Sequence, residues 1–146
     1  MVIQDVLDNL GSFNIDSGTE YEFDSEVNIT ATPNVGYKFE KWSDGNTDNP
    51  RTITISTENN YSASFVFDET SEHWKAKVEK EDNKVPTNGT LNGDYYFFTT
   101  VDNAFTYALS KTNGGTVILT SDSINVDTKV KSINKNITFD LNGHSY

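Results

Sequence analysis

The stretch that decides the fold is GYKFEKWSDGNTDNP, residues 36–50. In its first half, Tyr37 and Phe39 alternate with Lys38 and Glu40, as expected of a strand with one buried face. Its second half, residues 43–50, consists of Ser, Asp, Gly, Asn, Thr and Pro, which are the residues typical of turns. The stretch therefore predicts a strand that runs into a turn, and it raises the question of whether this turn binds a ligand.

The same period of two continues on both sides, from Gly11 to Phe67. Breaks with turn composition fall at residues 33–36, 43–50 and 58–60. The alternating apolar sets are Val27, Ile29 and Ala31; Tyr37 and Phe39; Ile53 and Ile55; and Tyr61, Ala63, Phe65 and Phe67. We therefore predict a small antiparallel sheet with one buried face, and no helix, in this part of the chain.

The turn contains oxygen-bearing side chains at alternate positions, and these are candidate metal ligands. Asp44, Asn46 and Asp48 are spaced like the first three ligands of a calcium loop. An EF-hand also needs Gly at its sixth position and Glu at its twelfth. Those positions hold Asn49 and Ile55, so the three residues are weak metal candidates.

The aromatic residues of the stretch allow a second interpretation, a carbohydrate platform on Tyr37 and Trp42. The alternative is that these rings and Phe39 fill a small core, while Gly45 and the pair 49–50 shape the turn. We favour the alternative, in which the motif is structural.

The second half of the chain has a different pattern. One strand is predicted near residues 74–79, followed by a turn or loop over 82–93 and a short strand over 95–98. Short strands are then predicted at 116–119, 123–126, 129–133 and 136–141, a spacing that suits successive turns of a β-solenoid.

One short α-helix is predicted over about residues 100–112. Thr100 is a good N-cap, and Asn113-Gly114-Gly115 supplies the glycine expected just past a helix C-terminus. The apolar residues at helical spacing are Val101, Ala104, Phe105, Ala108 and Leu109.

Residues 11–67 resemble the divergent internalin-type B-repeat of bacterial surface proteins. The matching residues are Ala31-Thr32-Pro33, Gly36-Tyr37, Phe39, Trp42-Ser43-Asp44-Gly45, Asn49-Pro50 and Tyr61 to Phe65. This resemblance implies a β-grasp-like spacer or adhesion module without enzymatic activity.

Residues 74–146 resemble the N-terminal cap and first coil of the pectate-lyase-like right-handed β-helices in bacterial adhesins and surface-layer proteins. The matching residues are Tyr95-Tyr96-Phe97, Thr100, Ala104-Phe105, Ala108, Gly115-Thr116-Val117, Leu119, Asn136-Ile137-Thr138 and Asp140 to His144. In such a cap the helix would seal the end of the solenoid core, and the last strand would leave an open edge for self-association.

Composition excludes several functions. The chain of 146 residues has no cysteine, which excludes disulfides and thiol catalysis. Residues 1–70 carry thirteen acidic and three basic side chains, and residues 71–146 carry nine and eight, so neither part offers the basic face that a nucleic-acid partner needs. No apolar run is long enough for membrane insertion. The two histidines lack a third zinc ligand at a defined spacing.

We therefore expect a mainly β chain with a B-repeat-like β module at 1–69 and a β-solenoid cap with its first coil at 70–146. The predicted function is a non-enzymatic structural module of a bacterial cell-surface protein or adhesin, without cofactors, whose ligand would be a glycan or a host protein. The N-terminus lacks signal-peptide features, which suits a fragment of an exported protein. The alternatives are an N-terminal fragment of a polysaccharide-active β-helix enzyme and a fibre component of a phage particle.

Overall fold

A computed structural model describes residues 9–15, 19–57, 60–122 and 135–145. The chain divides into two compact units, Met1–Asp68 (unit 1) and Glu69–Tyr146 (unit 2). Within the described ranges the protein is mainly β with one short helix, which confirms the predicted fold class at this level. The strands of the described part do not close into a barrel.

Unit 1 consists of short antiparallel strand pairs. Its strands are β1 (Gly11–Phe13), β2 (Glu26–Ile29), β3 (Ala31–Pro33), β4 (Tyr37–Trp42), β5 (Arg51–Thr54) and β6 (Ala63–Phe67). Among the described residues they form three two-stranded sheets, β1–β3, β2–β5 and β4–β6. The prediction of a single sheet is therefore wrong: the predicted strand over residues 27–31 is split at Thr30 into β2 and β3, which pair with different partners.

Two asparagine side chains fill the break between β2 and β3. Asn14 Oδ1 accepts a hydrogen bond from the Thr30 N–H at 2.7 Å, and Asn14 Nδ2 donates to the Asn28 carbonyl at 3.1 Å. Asn49 serves both backbone groups of Ala31, accepting from its N–H at 2.9 Å and donating to its carbonyl at 2.7 Å. Because unpaired backbone groups are costly to bury, these amides allow the chain to leave one strand pair and enter another.

The core of unit 1 is built around aromatic rings. Trp42 and Ile29 are fully buried, and Phe13 and Phe39 pack against Trp42 with ring centroids 5.1 and 5.3 Å away. Gly11 lies against the ring of Phe65, where a Cβ would come within 2.4 Å of a ring carbon, so a larger residue would have to displace that buried ring.

Unit 2 contains one five-stranded sheet in the described ranges, covered by a helix. Its elements are β7 (Ala76–Glu79), β8 (Gly89–Asn92), β9 (Tyr95–Phe98), α1 (Val101–Ser110), β10 (Gly115–Leu119) and β11 (Ile137–Asp140). The strand order is β11-β10-β7-β9-β8, with β10 and β11 parallel and the other pairs antiparallel. The buried faces of α1 and the sheet share one core, in which Val78, Val101 and Leu119 are almost fully buried.

Strand β8 corrects the prediction of a turn or loop over residues 82–93. Its residues pair with β9 from Gly89↔Phe98 to Asn92↔Tyr95, and Gly93 starts the connecting turn with φ +58°. A Gly- and Asn-rich composition disfavours a strand locally, but pairing with the aromatic strand β9 overrides it.

The start of α1 confirms the prediction, whereas its end does not. Thr100 is the N-cap, and its side chain accepts from the Asn103 N–H at 3.3 Å. The helix ends at Ser110, and the C-cap Lys111 is extended, with φ −65° and ψ 155°. Gly114, with φ +78°, lies three residues beyond the cap and does not terminate the helix.

A lysine that precedes β11 bonds to the carbonyl groups at the end of α1 instead. Lys135 Nζ donates to the carbonyl groups of Leu109, at 2.9 Å, and Lys111, at 2.5 Å. A cation at this position also complements the negative end of the helix dipole.

The predicted solenoid strands are described only in part. Strands β10 and β11 lie where 116–119 and 136–141 were predicted, and they pair in parallel from Gly115↔Ile137 to Ile118↔Asp140. The strands predicted at 123–126 and 129–133 lie outside the described residues. A single parallel pair beside antiparallel strands does not define a solenoid coil, so a β-solenoid cap is not shown.

Candidate functional site: the turn after β4

Trp42, at the end of β4, is a core residue in the structure. It is 0 % exposed, and its Nε1 donates to the Asp48 carbonyl at 2.7 Å. Both faces and the polar edge of the indole are thus occupied within unit 1. Tyr37, at the start of β4, is half-buried and meets Phe67 edge-on, with centroids 5.7 Å apart. The two aromatic candidates share a strand, but the ring of Trp42 offers no open face to a sugar.

The three candidate metal ligands lie together in the turn, where the side-chain oxygen atoms of Asp44 and Asn46 order the backbone. Asp44 Oδ1 accepts from the Asn46 N–H at 3.1 Å, and Asn46 Oδ1 accepts from the Asp48 N–H at 2.8 Å. These are turns closed by Asx side chains, which explains the alternate spacing without a cation. In addition, Trp42 N–H donates to the Asn46 carbonyl at 2.8 Å.

Arg51, the first residue of β5, ties the turn to the core. Its guanidinium forms a two-pronged ion pair with Asp44, with Nη1–Oδ1 and Nη2–Oδ2 distances of 3.0 and 2.6 Å. Its Cζ lies 5.5 Å from the ring centroid of Trp42 and 4.9 Å from that of Tyr61. The Arg51 side chain is only 9 % exposed, so this ion pair and the two ring contacts form one packed cluster.

The ion pair also sets the charge of the turn. The hydrogen bond from Arg51 holds the pKa of Asp44 below its ordinary value of 3.8, against a smaller opposing effect of burial. The carboxylate is therefore ionised at neutral pH and already neutralised by the guanidinium. A calcium ion at this position would have to compete with Arg51 for the same oxygen atoms.

A shallow, open groove of about 690 Å³ runs beside the turn. Its lining includes Asn46, Asp48, Pro50, Arg51, Thr52 and Tyr61. In the described part of the chain, no group of three or more His, Asp or Glu side chains is arranged to hold a metal ion. Among the described residues, the groove therefore offers polar contacts without a cluster of side chains that could hold a metal ion.

Sequence reasoning did not single out Arg51, although it organises the turn. The available signal was its position directly after Asn49-Pro50, at the start of a strand and seven residues from Asp44. That signal is weak, because the partner of an arginine depends on the path of the turn and not on sequence spacing.

The first half of the chain matches a known domain family. The model of the divergent InlB B-repeat domain matches residues 8–70, which confirms the resemblance in the first half of the chain. No curated protein and no solved structure matches the chain. Residues 8–70 thus form a B-repeat-like domain, typically a surface-associated module of bacterial proteins. The one described helix, α1, is too short to cross a membrane.

Proposed function

We propose that the chain is a non-enzymatic structural part of a bacterial cell-surface protein or adhesin, in which a β-grasp-like B-repeat module acts as a spacer. The observation that carries the proposal is the match of residues 8–70 to the B-repeat domain. The residues that carry the family resemblance also support a structural role, because they stabilise the fold. Trp42 is buried, and Asp44 is paired with Arg51.

The second part of the proposal is that unit 2 caps a β-solenoid and associates through its edge. The parallel pairing of β10 with β11 supports it, because stacked solenoid turns pair in parallel, and β11 is an edge strand of the described sheet. An open edge presents unpaired backbone groups that a second copy can use.

Immunolabelling tests the location. Antibodies raised against residues 1–146 should label intact cells of the source bacterium as strongly as permeabilised cells. Labelling that requires permeabilisation would contradict a surface location. Labelling confined to purified phage particles would instead support the alternative of a phage fibre component.

Light scattering over a dilution series tests the edge. We expect a mass above the monomer that falls on dilution, and a monomer for Thr138→Lys, since a charged edge strand resists pairing. Thr116→Lys is the matched control: Thr116 is exposed like Thr138 and is its register partner, but it lies on the interior strand β10. A monomer at every concentration of the unaltered chain would refute edge association. A glycan or host-protein ligand, if bound by the spacer, would be sought separately by binding assays on immobilised chain.

A further inference from the structure

Unit 2 contains four Asn-Gly dipeptides, at residues 88–89, 92–93, 113–114 and 142–143. Asparagine is a thermolabile residue, because the following backbone nitrogen can attack its side-chain amide. Glycine after asparagine leaves that nitrogen unhindered and its backbone free to turn. Since the four dipeptides have the same chemistry, differences in their reactivity must come from the fold.

At two of the four dipeptides a hydrogen bond holds the side-chain amide. Asn92 Nδ2 donates to Glu69 Oε1 at 2.7 Å, and Asn142 Nδ2 donates to the Leu119 carbonyl at 3.1 Å. Each amide must leave its partner before its Cγ can approach the glycine nitrogen. These two sites are therefore protected.

The other two asparagines, Asn88 and Asn113, are exposed and make no side-chain hydrogen bond to another described residue. They differ in the glycine that follows. Gly89 is the first residue of β8 and is fixed by pairing with Phe98. Gly114 precedes β10 and is itself buried, but its N–H makes only a long hydrogen bond of 3.5 Å to the Lys111 carbonyl and is not part of the strand ladder.

We propose that Asn113 is a site of spontaneous backbone modification. When the turn opens to solvent, the Gly114 nitrogen loses its proton to a water or hydroxide and attacks Cγ of Asn113. An N–Cγ bond forms, Nδ2 takes up a proton from solvent, the Cγ–Nδ2 bond breaks and ammonia leaves, which gives a five-membered succinimide. Water then opens the ring at either carbonyl carbon and yields aspartate or isoaspartate. No oxidant or reductant is needed.

The position of Gly114 gives this modification a structural consequence. A Cβ at Gly114 would lie 2.1 Å from the Asn136 carbonyl oxygen, so the two backbone segments are in direct contact. The next residue, Gly115, forms the first pair of the parallel β10–β11 ladder with Ile137. Isoaspartate lengthens the main chain by one carbon at a point without spare room. Conversion of Asn113 therefore loosens the start of β11.

Peptide mapping of the aged chain tests the site. The full chain is incubated at neutral pH, and the amounts of aspartate and isoaspartate at the four dipeptides are followed by mass spectrometry. We expect Asn113 to convert first, and Asn92 and Asn142 about two- to tenfold more slowly, the factor that one ordinary hydrogen bond imposes. In urea the four rates should converge. Equal rates in the folded chain, or conversion of Asn88 first, would overturn the proposal.

Hydrogen exchange tests the consequence. Amides of residues 137–140 should exchange faster in the aged chain, and Asn113→Gln should prevent this change, because glutamine closes a ring less readily. Asn113→Asp adds the charge without lengthening the backbone and should leave the exchange of β11 unchanged. Faster exchange in Asn113→Asp equal to that of the aged chain would refute the backbone mechanism.

Discussion

Units 1 and 2 differ in how their backbones find hydrogen-bond partners. The described strands of unit 1 form three separate two-stranded sheets, and the amides of Asn14 and Asn49 serve the backbone where β2 ends and β3 begins. Unit 2 places its described strands in one sheet under a helix. Side chains also serve the backbone in unit 2, as Ser121 does for the Trp74 carbonyl. We nevertheless expect unit 1 to depend more on such contacts, and unit 2 to depend more on burial in its single core.

The largest effect should come from Trp42→Ala. Truncation of a buried aromatic ring costs about 3–5 kcal/mol, which is a large part of the stability of a small module. Urea unfolding followed by two-dimensional NMR reports the two units separately, so amides of unit 2 serve as an internal reference. If the urea midpoint of unit 1 fell no further than that of unit 2, the expected difference between the units would be contradicted.

Arg51→Ala should have the second largest effect. Loss of its charge-assisted hydrogen bonds to Asp44 should lower the free energy of unfolding of unit 1 by about 1.5–3 kcal/mol. Arg51→Lys keeps the charge but loses the planar fork and the stacking on the two rings, so it should recover only part of the loss. Full recovery by lysine in the same urea titration would show that charge alone matters here.

In unit 2 a comparable polar contact should matter less. Thr100→Ala removes the N-cap of α1 and should cost about 1 kcal/mol. Thr100→Ser keeps the capping oxygen and is the matched control. If Thr100→Ala lowers the free energy of unfolding of unit 2 as much as Arg51→Ala lowers that of unit 1, the expected difference between the units is wrong.

The acid dependence of stability should be separable by unit. Asp44 has a lowered pKa because of Arg51, so its contribution is present above the ordinary value of 3.8 and is lost as the pH falls through the lowered value. Glu81 has a lowered pKa because Thr112 donates to it, and its contribution is lost in the same direction, from an ordinary value of 4.5. Asp44→Asn should flatten the acid limb of unit 1 alone, and Glu81→Gln that of unit 2, as measured by NMR-detected unfolding.

The smallest effect should be that of calcium. Because Arg51 neutralises Asp44 and the Asn46 oxygen accepts from the backbone, addition of millimolar calcium should leave the NMR shifts of residues 43–50 unchanged. Magnesium serves as the control for ionic strength. If calcium but not magnesium changed these NMR shifts, and Asp48→Asn abolished the change, the turn would be a calcium site after all.

Sequence periodicity predicted the elements better than it predicted their partners. Alternation located β4 and β6, and Thr100 located the start of α1, because burial and capping leave a local signature. The split at Thr30 left no such signature, since it depends on Asn14 and Asn49, which are distant in sequence. Strand β8 was missed because its partner, not its composition, makes it a strand.

The site shows the same limit. The sequence placed Asp44, Asn46 and Asp48 in one turn, and the structure does bring them together. Only the path of the turn reveals that the side-chain oxygen atoms of Asp44 and Asn46 bond to backbone N–H groups and that Asp44 also pairs with Arg51. Likewise, alternation left Trp42 as either a core residue or a platform, and only packing on Phe13 and Phe39 places it in the core.

The paired hydrogen bonds of Asn49 restrict which residues this position can accept. Its side chain presents one acceptor and one donor to Ala31 at the reach of a neighbouring strand. Aspartate lacks the donor, glutamine is one methylene too long, and leucine has the shape without the polarity. In a randomised library of this loop, position 49 should therefore tolerate almost no exchange, while the exposed neighbour Thr47 should vary freely. The hydrogen bonds of one side-chain amide to a neighbouring strand thus restrict the amino-acid sequence of this loop.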